Sequence, residues 1–147
     1  MYAVLLPFVN TDKGDCLLLE VRSDLVSQPG EVCFPGGKME EGETPEQAAL
    51  REACEELHLP SSEICVINEL LPEKMKDGRL VFPVSARISG EALSGIVLSG
   101  KEVASVFLLP LSWLKAHPGG DGRNSLYWEY EGHVIWGLTA RIIRQIL

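Results

Sequence analysis

GKMEEGETPEQAALREACEELHL, running from Gly37 to Leu59, places a glycine, a glutamate six residues on, and an Arg-Glu-x-x-Glu-Glu cluster in one short stretch. At background frequencies of roughly 5–7% per position, the set Gly37, Glu43, Arg51, Glu52, Glu55 and Glu56 would recur by chance about once in ten million start positions. Coincidence is a poor explanation. The local signals also specify a helix: Thr44 can cap, Pro45 suits the first helical position, and Gln47 stands three residues after the cap, as a capping box requires. A helix is therefore expected from about Thr44 to Leu57, with Pro60 ending it. Leu50, Ala53 and Leu57 form its expected inward stripe, with Cys54 beside it, and Glu52, Glu55 and Glu56 fall on another face.

Positions 52, 55 and 56 are related as i, i+3 and i+4, which brings three carboxylates to one side of the helix. Each like-charged pair costs roughly 0.2–0.5 kcal/mol even when exposed, and binding hard cations recovers that cost. An all-oxygen set without His or Cys suits Mg²⁺ or Mn²⁺ rather than zinc. Residues 39–56 hold seven glutamates and one arginine, a density that alone would describe a solvated acidic face; the fixed spacing favours ligation. Dications beside a glycine turn suit phosphoryl chemistry, in which they neutralise phosphate oxygens and lower the pKa of a bound water. Gly36 and Gly37 permit close backbone approach, and a carbonyl there can add a ligand. Arg51 and Glu55 are i,i+4 neighbours, so a structural ion pair is favoured for Arg51 over substrate contact, with Glu43 as a second partner.

Composition narrows the remaining classes. With 147 residues and 46% apolar content, one domain over residues 1–147 is expected, burying roughly two thirds of its unfolded surface. No apolar run approaches the roughly 20 residues of a membrane span, and no signal peptide is legible, so a cytoplasmic location without membrane contact is expected. A net charge of −8 without a basic stripe argues against a nucleic-acid polymer as partner. Cys16, Cys33, Cys54 and Cys65 lack a CxxC pair and read as reduced core or near-core thiols. A Cys-His nucleophile is disfavoured because His58, His117 and His133 suggest no shared site.

Tyr2–Val9 and Cys16–Val21 read as paired strands, Glu31–Phe34 as a short extended piece, and Pro35-Gly36-Gly37 as a turn. Strands are expected at Glu63–Leu71 and Leu80–Ile88, paired around Asp77-Gly78, with Pro83 marking an edge or a bulge. Val103–Leu109 reads as a strand, Leu111–Ala116 as a short helix, and Pro118–Asn124 as a surface loop. Tyr127–Tyr130 and Val134–Trp136 flank a Glu131-Gly132 turn, and a helix from about Leu138 to Leu147 closes the chain. The order is α+β, a sandwich in outline. Trp128 and Trp136 favour packing over base stacking, and Glu102 at a strand end is a less favoured candidate for a further carboxylate.

The segment from Gly37 to Leu59 resembles the Nudix box, G-x5-E-x7-R-E-U-x-E-E-x-G-U, where U is aliphatic. Gly37, Glu43, Arg51, Glu52, Glu55, Glu56 and Leu59 align, Ala53 is a small first aliphatic, and His58 stands in place of glycine. A left-handed residue there costs roughly 1 kcal/mol without glycine. The resemblance implies a Nudix-like α/β/α sandwich with a mixed β-sheet and metal-dependent hydrolysis of a nucleoside diphosphate derivative, a small-molecule nucleotide substrate. It implies metal ligands at Glu52, Glu55, Glu56 and the Gly36 carbonyl, with one carboxylate assisting deprotonation of water.

LLLEVRSDLVSQPGEVCFPGGK, residues 17–38, is similar to the extension before the box in coenzyme A diphosphatases, L-L-T-x-R-[SA]-x3-R-x3-G-x3-F-P-G-G, and VIWGLTARII at 134–143 to that subfamily's ending. Arg22, Ser23, Gly30 and the Phe34–Gly37 run match; Glu20 replaces threonine, the second arginine is absent, and the Arg22-to-Gly30 interval is one residue shorter. Arg22 is balanced between contacting a substrate phosphate and pairing with a nearby acid, and the Gly36-Gly37 backbone is expected to face substrate. The favoured activity is cleavage of coenzyme A or a derivative to 3′,5′-ADP and phosphopantetheine. Alternatives are ADP-ribose, NADH or a dinucleotide as substrate, or a non-catalytic nucleotide sensor; oligomeric state is open, a homodimer among the options.

Overall fold

The computed structural model describes residues 1–98, 100–119 and 127–147, so the expected loop at 118–124 falls mostly outside the described residues. The chain opens with strands β1 (Tyr2–Thr11) and β2 (Gly14–Arg22), joined by a two-residue turn with Thr11 opposite Gly14. Successive residues alternate between two cores: Leu5, Val9 and Leu18 join one, and Leu6, Leu17 and Leu19 the other. Both faces of these strands are therefore covered, which is why they read as continuous apolar runs.

β1 and β2 pair only near the turn, Phe8 with Leu17 and outward, and beyond that they diverge. Strands β3 (Val32–Cys33) and β4 (Gly36–Lys38) lie in the gap, β3 on β2 at Glu20 and Val21, β4 on β1 at Tyr2–Val4. The Leu5 N–H donates to the Pro35 carbonyl at 2.8 Å. Of the turn expected at Pro35-Gly36-Gly37, only Pro35 is a bend, and the two glycines open β4. Neither glycine has positive φ. What they supply is closeness: a Cβ on Gly36 would strike the Ala3 carbonyl and come within 2.7 Å of the Val4 Cα.

Helix α1 (Pro45–Leu57) follows with its capping box formed, and the Gln47 N–H reaches Thr44 Oγ1 at 3.2 Å. Its buried face is Ala48, Ala49, Ala53 and Leu57, while Leu50 and Cys54 are only half-buried. Alanines replace the bulkier stripe expected from Leu50 because α1 packs directly on β1 and β4. His58 takes the left-handed conformation, φ 53°, and its Nδ1 lies 2.6 Å from the Val97 carbonyl, a hydrogen bond that offsets part of the strain.

A single 3-10 turn at Ser61–Glu63 leads to β5 (Ile64–Glu69), then β6 (Glu73–Lys74) and β7 (Leu80–Ile88). β7 runs parallel to β1 and antiparallel to β5 and β6, which makes the sheet mixed. Pro83 thus sits inside the sheet and not on an edge. Its carbonyl accepts from the Leu70 N–H at 2.9 Å where β5 gives way to β6, so no ladder bond needs its missing N–H. Helix α2 (Gly90–Leu93), β8 (Val103–Pro110) on β2, and α3 (Leu111–Ala116) come next.

The hairpin β9 (Tyr127–Tyr130) and β10 (His133–Trp136) precedes α4 (Gly137–Arg144). α4 stops short of Leu147: Gln145 instead exchanges two 2.9 Å hydrogen bonds with the Leu71 backbone. Trp128 is buried and donates to the His117 carbonyl at 2.9 Å, whereas Trp136 is largely exposed. α1 covers one sheet face; α3, α4 and the hairpin cover the other. The architecture is an α+β sandwich. None of the described helices is long and apolar enough to cross a membrane.

Candidate active site

The gap between β1 and β2 is where the chemistry collects. β4 carries Gly36 and Gly37 along its floor, and α1 lays Glu52 and Glu56 over them. Contact is so close that a Cβ on Gly37 would meet Glu52 Cδ at 2.6 Å. The Gly36 N–H donates to Glu56 Oε2 at 2.9 Å, so the contact between these two runs through the Gly36 amide. Glu56 is buried, 6% exposed.

Carboxylate oxygens of Glu52, Glu56 and Glu102 lie within 4.8 Å of one another. Glu102 arrives from the segment just before β8, and Ser23 fastens that segment: its N–H donates to the Glu102 carbonyl at 2.9 Å and its Oγ to the Lys101 carbonyl at 2.5 Å. Glu55 does not join this group. Its side chain is 61% exposed and stands 3.6 Å from Arg51.

Arg51 is bidentate to Glu43, 2.8 Å from Nε and 3.0 Å from Nη2, and also reaches Glu52 Oε1 at 3.1 Å and the Lys38 carbonyl at 3.2 Å. One guanidinium thereby ties the loop before α1 to the helix and turns Glu52 toward Gly37. The hydrogen bonds from Arg51 hold the Glu43 carboxyl down at about 2. Arg22 is occupied with its own loop, donating from Nε to the Ser27 carbonyl at 2.7 Å.

Glu20 is a member of this neighbourhood that sequence reasoning missed. It lies on β2 two residues after Leu18, so it faces the same side as Leu18, the α1 side. It is 2% exposed, and its Oε2 has no hydrogen-bond partner. A signal existed: one glutamate stands inside the apolar run Cys16–Val21, where every neighbour packs.

Burial, then the charges of neighbouring carboxylates, pushes Glu20 and Glu56 well above the ordinary carboxylate range; Glu102 weighs most on Glu20, and Glu20 on Glu56. Burial also raises Glu52, against the pull of Arg51. Crowded, desolvated carboxylates with an oxygen left unpaired are costly unless a cation joins them. An all-oxygen donor set fits a hard dication. The Cys33 thiol beside the cluster offers no rival chemistry, since burial drives it up to about 12.

A NUDIX domain matches residues 1–127. The Nudix hydrolase NudL of Yersinia enterocolitica is 38% identical over 157 aligned positions, covering 98% of this chain and 78% of that one. The chain belongs to the Nudix hydrolase family. Nudix hydrolase 3 of Caenorhabditis elegans is 38% identical over 115 positions, 76% of this chain and 48% of that protein. Among solved structures, the M. smegmatis Nudix hydrolase RenU superposes with a TM-score of 0.65 at 26% identity, covering 80% of this chain and 76% of that one. The binary complex of the C. elegans Ap4A hydrolase also reaches 0.65, at 20% identity over 76% of this chain and 81% of its own, a likeness of fold.

Ser23 explains part of the Arg-Ser pair before the box of this Nudix hydrolase. Ser23→Ala leaves the Lys101 carbonyl and the Leu25 N–H without their partner, and loosens the segment bearing Glu102. The expected cost is about 1–2 kcal/mol in a urea titration, with metal affinity weakened about tenfold. Unchanged metal affinity would separate Ser23 from the site.

Proposed function

We propose that this Nudix hydrolase is a Mg²⁺- or Mn²⁺-dependent pyrophosphohydrolase that splits the diphosphate of coenzyme A or a coenzyme A derivative into 3′,5′-ADP and (acyl)phosphopantetheine. The observation that carries the reaction is the set of clustered carboxylates, buried Glu56 and half-buried Glu52 against the Gly36-Gly37 strand with exposed Glu102 beside them. Bound there, a dication would neutralise diphosphate oxygens and make a water acidic enough to attack. Glu52, Glu56 and Glu102 are the residues proposed to hold it, with Glu55 at the solvent edge and the Gly36 carbonyl as proposed further ligands.

The chain's own groups then have separate tasks. Arg51 orients Glu52 and keeps Glu43 ionised, a positioning role. The Gly36 N–H holds one Glu56 oxygen and leaves the other to ligate. Arg22, on the β2 end beside the cluster, is proposed to meet a substrate phosphate once freed from Ser27.

Coenzyme A is preferred over other diphosphates because Arg22, Ser23, Gly30 and Phe34–Gly37 keep the pattern of its diphosphatases. The substitution of Glu20 and the shortened loop favour keeping a second substrate in view, a nucleoside diphosphate derivative such as ADP-ribose, NADH or a dinucleoside polyphosphate. The acidic balance fits a small nucleotide rather than a polymer, and a cytoplasmic location is proposed with it. A kcat/KM comparison across these compounds decides it. Coenzyme A should lead; a higher value for ADP-ribose or NADH would move the assignment to that substrate.

A further inference from the structure

The chain carries a net charge of −8, yet one corner of it is basic. Lys74, Lys76 and Arg79 lie on or beside the turn between β6 and β7, Lys38 ends β4, and Arg141 stands on α4. Hydrolysis of a diphosphate at the carboxylate cluster asks nothing of these side chains.

Strand register puts three of them around Tyr2 on one face of the sheet. Tyr2 on β1 pairs with Lys38 on β4 and with Val81 on β7, and Val81 pairs with Glu73 on β6, so these side chains share a face at about 5 Å from strand to strand. It is the face opposite α1, since Tyr2 and Val81 belong to the core under α4. Arg79, two residues before Val81, turns the same way: its guanidinium lies over the Tyr2 ring, 4.9 Å from the centroid, and donates to the Tyr2 hydroxyl. Arg141 comes down from α4, its Nε 3.7 Å from Glu73 and its Nη2 donating to the Lys74 carbonyl at 2.9 Å. Both guanidiniums are about half exposed and their partners Asp77 and Glu73 also reach solvent, so these pairs contribute little and an anion of higher charge can replace them. Lys38 is exposed and forms no ion pair among the described residues.

β4 joins this patch to the carboxylate cluster. Its outer edge, away from β1, faces the cluster, through the Gly36 N–H to Glu56 at 2.9 Å and the Lys38 carbonyl to Arg51 at 3.2 Å. Gly37 turns to α1, where Glu52 lies against it, and Lys38, the next residue, turns to the face of Tyr2. A substrate whose diphosphate sits along that edge therefore offers its next anionic group to Lys38. In coenzyme A this group is the ribose 3′-phosphate, one sugar ring from the diphosphate and carrying about −1.5 to −2 at neutral pH. ADP-ribose, NADH and dinucleoside polyphosphates have a free hydroxyl in its place.

We propose that Lys38, Arg79 and Arg141, with the Tyr2 hydroxyl, seat the ribose 3′-phosphate of the substrate and so set the preference for coenzyme A. This rests on the coenzyme A reading and names the groups that recognise the substrate within it. Two guanidiniums and an ammonium supply the charge and the forked donors that a phosphate monoester takes. The Tyr2 hydroxyl accepts from Arg79 and keeps its own proton to donate.

Dephospho-coenzyme A, which lacks only that phosphate, provides the test. With Mg²⁺, the full chain should show a kcat/KM for coenzyme A roughly 30-fold or more above that for dephospho-coenzyme A, carried mainly by KM. Lys38→Gln, Arg79→Gln and Arg141→Gln should each lower this ratio about tenfold, Arg79→Lys should restore part of it, and added salt should shrink it. A wild type that cleaves both compounds alike, or a ratio that survives all three substitutions, would overturn the seat. So would variants that slow both compounds equally, which marks a structural role. Calorimetric titration with 3′,5′-ADP and with 5′-AMP reads the same contact without turnover: 3′,5′-ADP should bind about tenfold or more tighter, and the variants should erase the difference. If neither coenzyme is cleaved while 3′,5′-ADP keeps that advantage, the hydrolytic reading falls and the seat stands; if coenzyme A is cleaved while the two nucleotides bind alike, the seat falls alone. Should Arg79→Gln disturb folding, Lys38→Gln and Arg141→Gln decide.

Discussion

Replacing Glu56 by glutamine is expected to lower turnover about 10³-fold or more while leaving the fold intact. The side chain is buried between α1 and β4, and its Oε2 takes the Gly36 N–H at 2.9 Å. Glutamine has the same length and an amide oxygen that can accept the same bond, so packing and backbone geometry survive. What it removes is a negative charge in a desolvated cluster whose oxygens lie within 4.8 Å. In such a site a charge aimed at a cation is worth far more than in water, and losing one preorganised group costs about 10²–10³ before loss of the metal is counted. Circular dichroism and the melting temperature without metal should match or exceed wild type. Near-normal turnover would refute the assignment of Glu56.

The second large effect is on stability, and its sign is unusual for a protein rich in acids. In chelator, stability should fall as pH rises from about 5 through neutrality. Glu20, Glu52 and Glu56 have folded-state values raised above the unfolded value of about 4.3, so across this window the unfolded chain has released protons that the folded chain still binds. Their contribution is complete below the unfolded value and is lost as pH climbs toward the folded ones. Each tenfold gain in proton affinity on folding corresponds to about 1.4 kcal/mol, so the loss should accumulate to several kcal/mol by pH 9. Glu43 acts oppositely, since its lowered value makes its bond to Arg51 a source of stability that disappears only as pH falls from about 4 to about 2. Saturating Mn²⁺ should abolish the alkaline loss, because cations keep the cluster charged and add their own binding energy. Urea titrations at pH 5, 7 and 9, with and without Mn²⁺, measure both. A metal-free stability that stays flat or rises would contradict the electrostatic account.

The helix bearing the box was legible because each of its signals is local: the Thr44 cap, Pro45 and Gln47 act within one turn, and both capping bonds form where the spacing places them. The β1–β2 hairpin, the β5–β7 pairing and the sandwich class were legible for a related reason, since apolar runs separated by turn residues reveal strands without tertiary information. What escaped depends on distant partners. Pro35-Gly36-Gly37 has the composition of a turn, and only the Ala3 and Val4 backbone shows why glycine is needed in a strand. Pro83 reads as an edge until the break between β5 and β6 is seen beside it.

The site divides in the same way. Spacing brought Glu52, Glu55 and Glu56 to one side of a helix, but it could not say which of them the sheet would bury. The sheet lies under 52 and 56, and Arg51 keeps Glu55 at the rim. Glu102 and Glu20 come from segments far apart in the chain, and the pairing of β8 with β2 brings those segments side by side.

Incubation of the purified chain with coenzyme A under Mg²⁺ or Mn²⁺, with products resolved by mass, tests the central claim most directly. Equal amounts of 3′,5′-ADP and phosphopantetheine, formed only with the dication and suppressed by chelator, are predicted. Failure to cleave coenzyme A, acyl-CoA, ADP-ribose, NADH and dinucleoside polyphosphates while the metal is bound would contradict it.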